Sequence, residues 1–366
     1  MSNNKKIDEQ YWKDYDGLQH TKHQLLAKYL QGWFPILGFS NPKILYIDTH
    51  AGKGRHTTGD EGSPLIALNT FLKHRSRDKI LNNSEVVFLF FEYNQKNCRN
   101  LKRELSSIDM IPSNLKITEP ICEDFERNLS TILDNLDSEG NHLAPSFSFL
   151  DPYGFKLPLE LINRILSYRK CEVFINFMFR YIDMAIRNPN QVDNMNNLFG
   201  SDNWKEFREI DDFELRIEKI CELYIDQLNA AFVSKVKMFG EHKELKYVLF
   251  HGTNHPKGWW LMKDVIWKVI PDGSFGASEK NRPEQTILIR ENPDMRQFEK
   301  DVRNLIINNP MMISGLYKWM EDKHSPYLIK HLHDTIRKWR NEGLVECSGY
   351  SGKFSFNQDP LIKLIE

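Results

Sequence analysis

The architecture of this chain can be inferred from one segment, Ile44-Leu45-Tyr46-Ile47-Asp48-Thr49-His50-Ala51-Gly52-Lys53-Gly54. Its first four residues are apolar and predict a buried β-strand. The glycines that follow predict a sharp turn in which the backbone can approach a ligand closely. Because ligands of open parallel sheets bind at the carboxyl ends of the strands, this turn marks a candidate binding crevice.

Short apolar runs and amphipathic stretches alternate after this first strand. Strands are predicted at 44–47, 86–91, 115–121, 147–150 and 173–179, with helices between them at 64–72, 95–105, 125–136 and 159–166. Strands that are apolar on both faces and separated by helices indicate a parallel sheet covered on both sides. A polar turn joins two further strands, 233–238 and 247–251, which predict an added antiparallel hairpin. The predicted fold class is therefore α/β, with a Rossmann-like core.

The same pattern divides the chain into four parts. They are an N-terminal helical segment (1–40, with a helix at 11–37), the core (41–270), a linker rich in turn residues (271–297) and a C-terminal domain (298–366). In the last part, helices are predicted at 298–307, 314–321 and 327–341, and short strands at 344–346 and 354–356. This order predicts a small α+β winged helix-turn-helix domain.

Composition narrows the class of protein. The 366 residues include 49 Lys and Arg against 50 Asp and Glu, and a net charge of −1 excludes a uniformly basic polymer binder. No apolar run approaches the roughly 18 residues of a membrane span, and the first ten residues lack the apolar core of a signal peptide. The five cysteines are scattered, without a CxxC pair. We therefore expect a soluble cytoplasmic protein with no membrane contact, no metal site and no disulfide framework.

The turn after the first strand carries the first chemical signal. A dinucleotide fingerprint would need a third glycine where Thr57 stands, and a Walker A loop would need Ser or Thr directly after Lys53. An acidic residue four positions before a Gly-x-Gly is instead similar to the pattern of class I S-adenosylmethionine-dependent methyltransferases. That similarity implies a carboxylate for the cofactor's ammonium and glycines that make room for its carboxylate and ribose. The implied cofactor contacts here are Asp48, His50, Gly52 and Gly54.

Two further carboxylates follow the next strands. Glu92 closes the second strand, where it could accept both ribose hydroxyls through hydrogen bonds of about 1.5–3 kcal/mol. Its separation from Asp48 exceeds the usual distance of about 20 residues, and we assign the excess to the loop 55–62. Asp124 and Phe125 follow the third strand and could hold the adenine ring, although a helix N-cap explains Asp124 equally well.

The fourth strand ends in Asp151-Pro152-Tyr153-Gly154. Amino-methyltransferases often place an Asp/Asn-Pro-Pro-aromatic loop at this point, where the polar side chain and a carbonyl hold the target amine and the ring stacks on a flipped base. This sequence has one proline fewer, and a turn that starts the next helix is the alternative interpretation. We take Asp151, Pro152 and Tyr153 as candidate catalytic residues, and we expect Asn176, inside the apolar fifth strand, to need a hydrogen-bond partner in the core.

These motifs in combination resemble the three-Cys-motif partner family, whose members have a class I methyltransferase fold. The similarity spans most of residues 10–270 and rests on Lys22-His23, Asp48 with Ala51-Gly52-Lys53-Gly54, Gly62-Ser63-Pro64-Leu65, Asp151-Pro152-Tyr153-Gly154, and Thr253-Asn254-His255-Pro256-Lys257-Gly258 with Met262 and Trp267. The resemblance implies S-adenosylmethionine as cofactor, an appended winged helix and a cysteine-rich partner protein.

The C-terminal domain offers a possible nucleic-acid handle. Between residues 311 and 353, seven basic residues outnumber five acidic ones, which is a weak electrostatic footprint. Protein contact or dimerisation would explain the domain equally well. The candidate nucleic-acid-binding residues are Lys330, Arg337, Lys338, Arg340 and Lys353.

The sequence therefore predicts methyl transfer from S-adenosylmethionine to a nitrogen of a nucleic-acid base, in RNA or DNA. Asp151 would orient the acceptor amine and Tyr153 would shape the base pocket. The alternative is a non-catalytic factor that binds nucleic acid or a partner protein on a methyltransferase-like scaffold, which the shortened proline motif and the weak basic patch favour. A nicotinamide-dependent dehydrogenase is disfavoured by Thr57.

Overall fold

The computed structural model describes residues 16–271, 275–278, 295–307, 309–323 and 325–365. These residues belong to two compact units. Among the described residues, the larger unit contains 16–270 and 275–278, and the smaller unit contains 271 and those between 295 and 365. None of the helices in these ranges is both long enough and apolar enough to span a membrane. The start of the helix predicted at 11–37 and most of the predicted linker lie outside the described residues.

The larger unit contains an eight-stranded sheet. Its first half comprises α1 (Gly17–Gly38), β1 (Lys43–Asp48), α2 (Ser63–Leu72), α3 (Arg77–Leu81), β2 (Glu85–Phe90), α4 (Gln95–Ser106), β3 (Leu115–Ile117), α5 (Phe125–Ser138), β4 (Ser146–Leu150), α6 (Leu159–Ser167) and β5 (Cys171–Phe177). Its second half comprises α7 (Phe179–Ala185), α8 (Val192–Phe199), α9 (Phe213–Gln227), β6 (Phe232–Phe239), β7 (Leu245–Thr253), α10 (Pro256–Val269) and β8 (Gly276–Ser278).

The strands lie in the order β3-β2-β1-β4-β5-β7-β6-β8. The first five are parallel, and β7 is antiparallel to both β5 and β6. The predicted parallel sheet and the predicted hairpin are both confirmed. The agreement has a physical reason: apolar strands separated by amphipathic helices can bury both faces only as a helix-covered sheet.

Each face of the sheet has its own hydrophobic core. One core packs α1, α2, α4 and α10 against alternate strand residues such as Tyr46 and Phe174. The other core packs α5, α6, α8 and α9 against the intervening residues, such as Ile47 and Ile175. Because successive side chains of a strand point to opposite faces, Tyr46 and Asp48 share the α1 face, as do Phe174 and Asn176.

Two predicted boundaries change in the structure. Helix α1 begins where Asp16 accepts a hydrogen bond from the Gln19 amide at 2.7 Å, and it belongs to the core of the larger unit instead of forming a segment of its own. Four of its residues, Leu25, Leu26, Tyr29 and Leu30, are fully buried. Three residues of the predicted linker, Gly276–Ser278, instead form β8, which pairs with β6.

The described residues of the smaller unit form three helices and a three-stranded antiparallel sheet. Its elements are α11 (Arg296–Ile306), β9 (Met311–Met312), α12 (Ile313–Asp322), α13 (Ile329–Asn341), β10 (Val345–Ser348) and β11 (Leu361–Leu364), with the strand order β10-β11-β9. The three predicted helices are confirmed, and the assignment of the domain as a winged helix-turn-helix stays a prediction.

The strand predicted at 354–356 is wrong. Phe356 is buried and stacks on the His333 ring, with the ring centroids 3.9 Å apart, and it starts a single 3₁₀ turn. Asp359 then reverses the chain at a positive φ of 51°, and its carboxylate accepts hydrogen bonds from the amide and hydroxyl of Ser314, both at 2.8 Å. The strand therefore forms only after this reversal, as β11.

Candidate active site

Four polar side chains meet on the α1 face of the sheet, at the carboxyl ends of its central strands. Asp48 is the last residue of β1, Asp151 directly follows β4, and Asn176 is the last residue but one of β5. Lys22 reaches them from α1. Of these four, the sequence predicted Asp48 and Asp151 as site residues.

Asp151 is held by two donors, one on each carboxylate oxygen. The Lys22 ammonium donates to Oδ2 at 2.5 Å, and the Asn176 amide donates to Oδ1 at 2.5 Å. The Lys22 side chain is only 2% exposed and that of Asp151 11%. An ionised carboxylate has about four acceptor positions, so the two bonds fix the orientation of Asp151 and leave acceptor capacity for a ligand. Asn176 was expected to need a hydrogen-bond partner, and in the structure that partner is Asp151.

Asp48 lies beside this pair and is fully buried. Its carboxylate accepts hydrogen bonds from the Tyr46 hydroxyl and the His50 amide, each at 3.2 Å. Burial raises the pKa of Asp48 to about 7, with the negative charge of Asp151 adding to the rise and a hydrogen bond with Ser63 opposing it. Asp48 therefore exchanges its proton near neutral pH.

The glycine turn after β1 is tied to the end of β2. Gly52 and Gly54 have φ values of 65° and 88°, a left-handed conformation that favours glycine. The Gly52 amide donates to one oxygen of Glu92 at 2.7 Å, and the Asn94 amide donates to the other at 2.7 Å. Glu92 thus fixes the glycine turn against the end of β2, while its role as a ribose ligand stays a prediction.

A cavity of about 660 Å³ lies next to this turn, between the first turns of α4 and α5. It is lined by Tyr93, Asn94, Gln95, Cys122, Glu123, Asp124, Arg127 and Asn128. Asp124 is the N-cap of α5 and accepts a hydrogen bond from the Arg127 amide at 3.2 Å, as the alternative interpretation of this residue required. The capping bond uses one oxygen, so Asp124 can also face a ligand in the cavity.

His50 and Phe125 connect the cavity to the carboxylates. Their ring centroids are 4.8 Å apart, and the His50 Nδ1 lies 2.8 Å from the Thr49 hydroxyl. Burial lowers the pKa of His50 to about 4, against the opposing charges of Asp151 and Asp124. The imidazole of His50 is therefore neutral at physiological pH, and it contributes a polar surface to the site instead of a positive charge.

A disulfide bond joins Cys122, which lines the cavity, to Cys98 in the first turn of α4. The expectation of scattered, unpaired cysteines is therefore wrong for this pair, while Cys171, Cys221 and Cys347 are free thiols. The pairing follows from the fold, because parallel pairing of β2 with β3 brings the first turns of α4 close to the loop after β3.

At the outer edge of the site, Tyr153 pairs with Tyr181. The Tyr181 hydroxyl donates to that of Tyr153 at 2.8 Å, and the rings meet edge to face with centroids 5.7 Å apart. Tyr153 is 51% exposed, whereas Pro152 before it is buried. Two aromatic rings thus stand next to the Asp151 carboxylate, and one of them is open to solvent.

The predicted nucleic-acid-binding residues lie in the smaller unit, and three of them already contact their own unit. Lys338 pairs with Glu299 at 3.1 Å. Arg337 pairs with Asp334 at 3.1 Å and stacks on Phe356, and Arg340 stacks on Phe354 and donates to the Tyr350 hydroxyl. The other two, Lys330 and Lys353, are exposed.

Sequence reasoning gave no site role to Lys22, Asn176 or Tyr181. Lys22 was named only as part of a family motif, and Asn176 was expected only to have a hydrogen-bond partner in the core. A signal for Lys22 existed, because it lies four residues after Leu18 and three before Leu25, on the apolar stripe of α1. A buried lysine in such a stripe requires an acidic partner. Tyr181 gave no comparable signal, since an aromatic residue on a short helix is ordinary.

The sheet order and the crevice at its carboxyl edge define a Rossmann-like α/β core of the class I methyltransferase type. Among solved structures, the chain is similar to the SAM-dependent methyltransferase from Agrobacterium tumefaciens, with 11% identity and a TM-score of 0.31. That alignment covers 62% of this chain and 61% of the other, so the chain spans less than two thirds of that protein. At this TM-score the similarity carries no information about substrate. No family model matches the chain, and no curated protein is significantly similar to it.

Proposed function

We propose that this chain is an S-adenosylmethionine-dependent methyltransferase that acts on an amino nitrogen of a nucleic-acid base. The observation that carries the proposal is the arrangement around Asp151, whose carboxylate is fixed by the buried Lys22 and Asn176 at the carboxyl edge of the sheet. Buried ion pairs are expensive to form and are not needed for stability, so one that opens to a crevice is a functional-site candidate.

The residues around the glycine turn fit the proposed cofactor. Asp48 can bind an ammonium, and Glu92, bonded to the glycine turn, is the carboxylate that the ribose hydroxyls would contact. The neighbouring cavity of about 660 Å³ lies within the usual size range of ligand pockets. S-adenosylmethionine would supply an electrophilic methyl group there. Binding its ammonium requires Asp48 to be ionised, which its pKa of about 7 permits.

The acceptor would be positioned by the other half of the site. The free acceptor positions of Asp151 would take an N–H of the target amine and so orient the nitrogen lone pair. Tyr153 and Tyr181 would stack against the base, which favours an unpaired or flipped nucleotide. After transfer the nitrogen carries one proton too many, and Asp151 is the adjacent base that can accept it. Alignment of the two reactants would supply most of the rate enhancement.

The test is methyl transfer from labelled S-adenosylmethionine to total RNA and DNA. We expect label in one polymer only, its loss in Asp151→Ala, and unchanged cofactor affinity of that variant by calorimetry. Asp226→Ala removes an exposed carboxylate of α9 in the same unit and serves as the matched control. Equal activity of Asp151→Ala and the control would remove Asp151 from the mechanism.

One observation favours a second function, a non-catalytic binding factor. Both oxygens of Asp151 already accept hydrogen bonds from the chain itself, and the loop has a single proline. This alternative predicts cofactor binding and nucleic-acid binding without turnover. Because the sequence resembles a family named for a cysteine-rich partner, the inactive outcome should be checked again with such a partner present.

A further inference from the structure

The Cys98–Cys122 disulfide joins the two walls of the cavity proposed to hold the cofactor's adenosine. Cys98 lies in the first turns of α4, directly after the wall formed by Tyr93, Asn94 and Gln95. Cys122 lines the cavity itself, at the start of the wall that continues through Glu123 and Asp124 to Asn128. The bond is therefore a covalent link across one end of the cavity.

The two sulfur atoms differ in their access to solvent. Cys98 is fully buried, whereas Cys122 is partly exposed. A reductant would therefore approach the bond from the Cys122 side, since Cys98 lies in the hydrophobic core. This arrangement differs from that of Cys171 and Cys221, which are buried free thiols.

In the loop that follows β3, non-covalent contacts hold Ile121 more firmly than Cys122. Ile121 pairs with Phe91 at the edge of the sheet, and the Glu92 amide donates to the Ile121 carbonyl at 3.0 Å. Beyond Ile121, the Cys122 carbonyl accepts a hydrogen bond from the exposed side chain of Gln95. Glu123 and Asp124 are bonded to the first turn of α5, through Asn128 and the Arg127 amide. Cleavage of the disulfide would thus leave the sheet and the cap of α5 intact, but it would remove the covalent link that holds this wall against α4.

We propose that Cys98 and Cys122 are a redox-modified pair that sets the cofactor affinity of the site. This inference rests on the proposed function, since it takes S-adenosylmethionine as the ligand of the cavity. In the oxidised chain, the disulfide holds Asp124 and its neighbours in place against the first turn of α4. In the reduced chain, part of the binding free energy is spent on ordering this wall, so the cofactor binds more weakly.

The redox step is a thiol–disulfide exchange with a dithiol reductant. One thiolate of the dithiol attacks the accessible Cys122 sulfur, which breaks the bond to Cys98 and releases Cys98 as a thiolate that takes up a proton. The second thiolate of the dithiol then attacks the mixed disulfide and releases Cys122, which is protonated in turn. The protein gains two electrons and two protons, and the dithiol is oxidised to its cyclic disulfide.

The experiment measures the Kd of S-adenosylmethionine for the full chain by calorimetry in two forms. One is air-oxidised, and the other is reduced with dithiothreitol, with a gain of two hydrogens confirmed by intact mass. We expect reduction to weaken binding about tenfold, a difference that corresponds to about 1.4 kcal/mol. After dithiothreitol is removed, oxidation by glutathione disulfide, which is reduced to two glutathione thiols as Cys98 and Cys122 form their bond, should restore the original affinity.

Two variants separate this pair from the other cysteines. Cys122→Ser should bind like the reduced chain under both conditions, and its thermal melt would check that it is folded. Cys347→Ser, in the smaller unit, should keep the full redox response. Should the serine variant fail to fold, the comparison of oxidised and reduced wild-type chain still decides the question.

Each outcome has a distinct meaning. Equal or tighter binding after reduction would overturn this inference alone, because the pair would then be a structural staple. A mass that shows two free thiols at 98 and 122 in the oxidised sample would overturn it too. An absence of binding in both forms would contradict the proposed function together with this inference.

Discussion

Two hydrogen-bonded carboxylates, Asp151 and Glu172, lie on the same face of the sheet, at opposite ends of its strands. Asp151 follows β4 at the carboxyl edge, and Glu172 stands at the beginning of β5. Helix α1 contacts both, through Lys22 at one end and Tyr29 at the other. Helix α1 and a carboxylate thus take part in two polar clusters, one around Asp151 and one around Glu172. The differences between these clusters indicate which one is a candidate site and which one is a structural contact.

The cluster around Glu172 is sealed. Its carboxylate accepts hydrogen bonds from the Tyr29 hydroxyl and from the Thr253 hydroxyl at 3.1 Å, and it lies 3.3 Å from the His251 Nε2. Each of these three partners is buried. A Cβ on Gly258 would come within 2.5 Å of a Glu172 oxygen, so the first turn of α10 closes directly over the cluster.

The cluster around Asp151 is open on one side. Lys22 and Asn176 each donate a hydrogen bond to one oxygen of Asp151. The chain then continues from Asp151 through Pro152 to the half-exposed Tyr153. A charged partner and an exit to solvent therefore distinguish this cluster from the sealed one. Polar groups that are bonded to one another and closed off from solvent specify a fold, whereas groups with acceptor capacity towards a crevice can bind a ligand.

The comparison also explains one of the motifs that suggested the family. Thr253-Asn254-His255-Pro256-Lys257-Gly258 is a structural element of this chain. Thr253 donates to Glu172, the Asn254 side chain bonds the backbone of Leu166 and Ala231, and His255 caps α10 through the Lys257 amide. The motif builds the sealed cluster and the start of α10, not the crevice.

The largest expected effect is on stability, from Glu172→Ala. The substitution leaves the hydroxyls of Tyr29 and Thr253 buried without their acceptor, and breaking a buried polar cluster costs about 3 kcal/mol. Urea unfolding should show this loss, while the folded variant keeps its affinity for S-adenosylmethionine.

Glu160→Ala is the control, because Glu160 is exposed on α6 and should change the free energy of unfolding by less than about 0.5 kcal/mol. A stable Glu172→Ala variant that had lost cofactor binding would show that the sealed cluster is part of the site. The distinction between a structural cluster at Glu172 and a binding cluster at Asp151 would then be wrong.

Lys22→Met tests the open cluster. Without Lys22, Asp151 loses one of the two donors that fix its orientation. If Asp151 orients the acceptor as proposed, its misplacement can cost about a hundredfold in kcat. Lys22→Arg should recover part of this loss, because it restores the charge. Lys28→Met, on the exposed face of the same helix, should retain full activity.

A double variant separates charge from packing. Lys22→Met with Asp151→Asn has no uncompensated charge, so its stability should recover while its activity stays low. Full activity in Lys22→Met would mean that the open cluster is as purely structural as the sealed one.

Most of the sheet was predictable because its signal is local. The alternation of apolar strands and amphipathic helices located β1 to β7, and the glycine turn after β1 located the crevice and Asp48. The last strand was missed because the contact that decides it is tertiary. Phe356 stacks on His333, and that contact outweighs the strand propensity of its neighbours.

The partners inside the site were not predictable for a related reason. Lys22 and Asp151 are 129 residues apart in the sequence, and Cys98 and Cys122 are 24 apart. Only the order of β2, β3 and β4 in the sheet, and the placement of α1 over it, brings these pairs together. Sequence patterns give the type of each residue, but such pairings follow from topology.

The pH dependence of binding should distinguish Asp48 from the rest of the open cluster. Between pH 5.5 and 7.0 the fraction of ionised Asp48 rises, since its pKa is about 7, and an α-ammonium stays largely charged. S-adenosylmethionine should therefore bind about tenfold more tightly at pH 7.0 than at pH 5.5. Asp48→Asn should bind weakly at both, and an equal slope in this variant would assign the titration to another group.

The same pKa shift fixes the sign for stability. Asp48 titrates near 3.8 when unfolded and near 7 when folded, so between these values the folded chain holds a proton that the unfolded chain releases. The stability contributed by this group is thus present below pH 4, falls as the pH rises towards 7, and is level above it. Asp48→Asn should remove this decline in urea titrations.

The smallest expected effect comes from the edge of the open cluster, with Tyr181→Phe. The substitution removes the hydroxyl bond to Tyr153 and keeps the ring, so the free energy of unfolding should change by less than about 0.5 kcal/mol. If the pair stacks against the acceptor base, the KM for nucleic acid should rise about threefold, which corresponds to part of one hydrogen bond. Tyr93→Phe, on the wall of the cavity proposed for the cofactor, should leave this KM unchanged. A large loss of stability in Tyr181→Phe would instead make the tyrosine pair a structural contact, and the open cluster would end at Asp151.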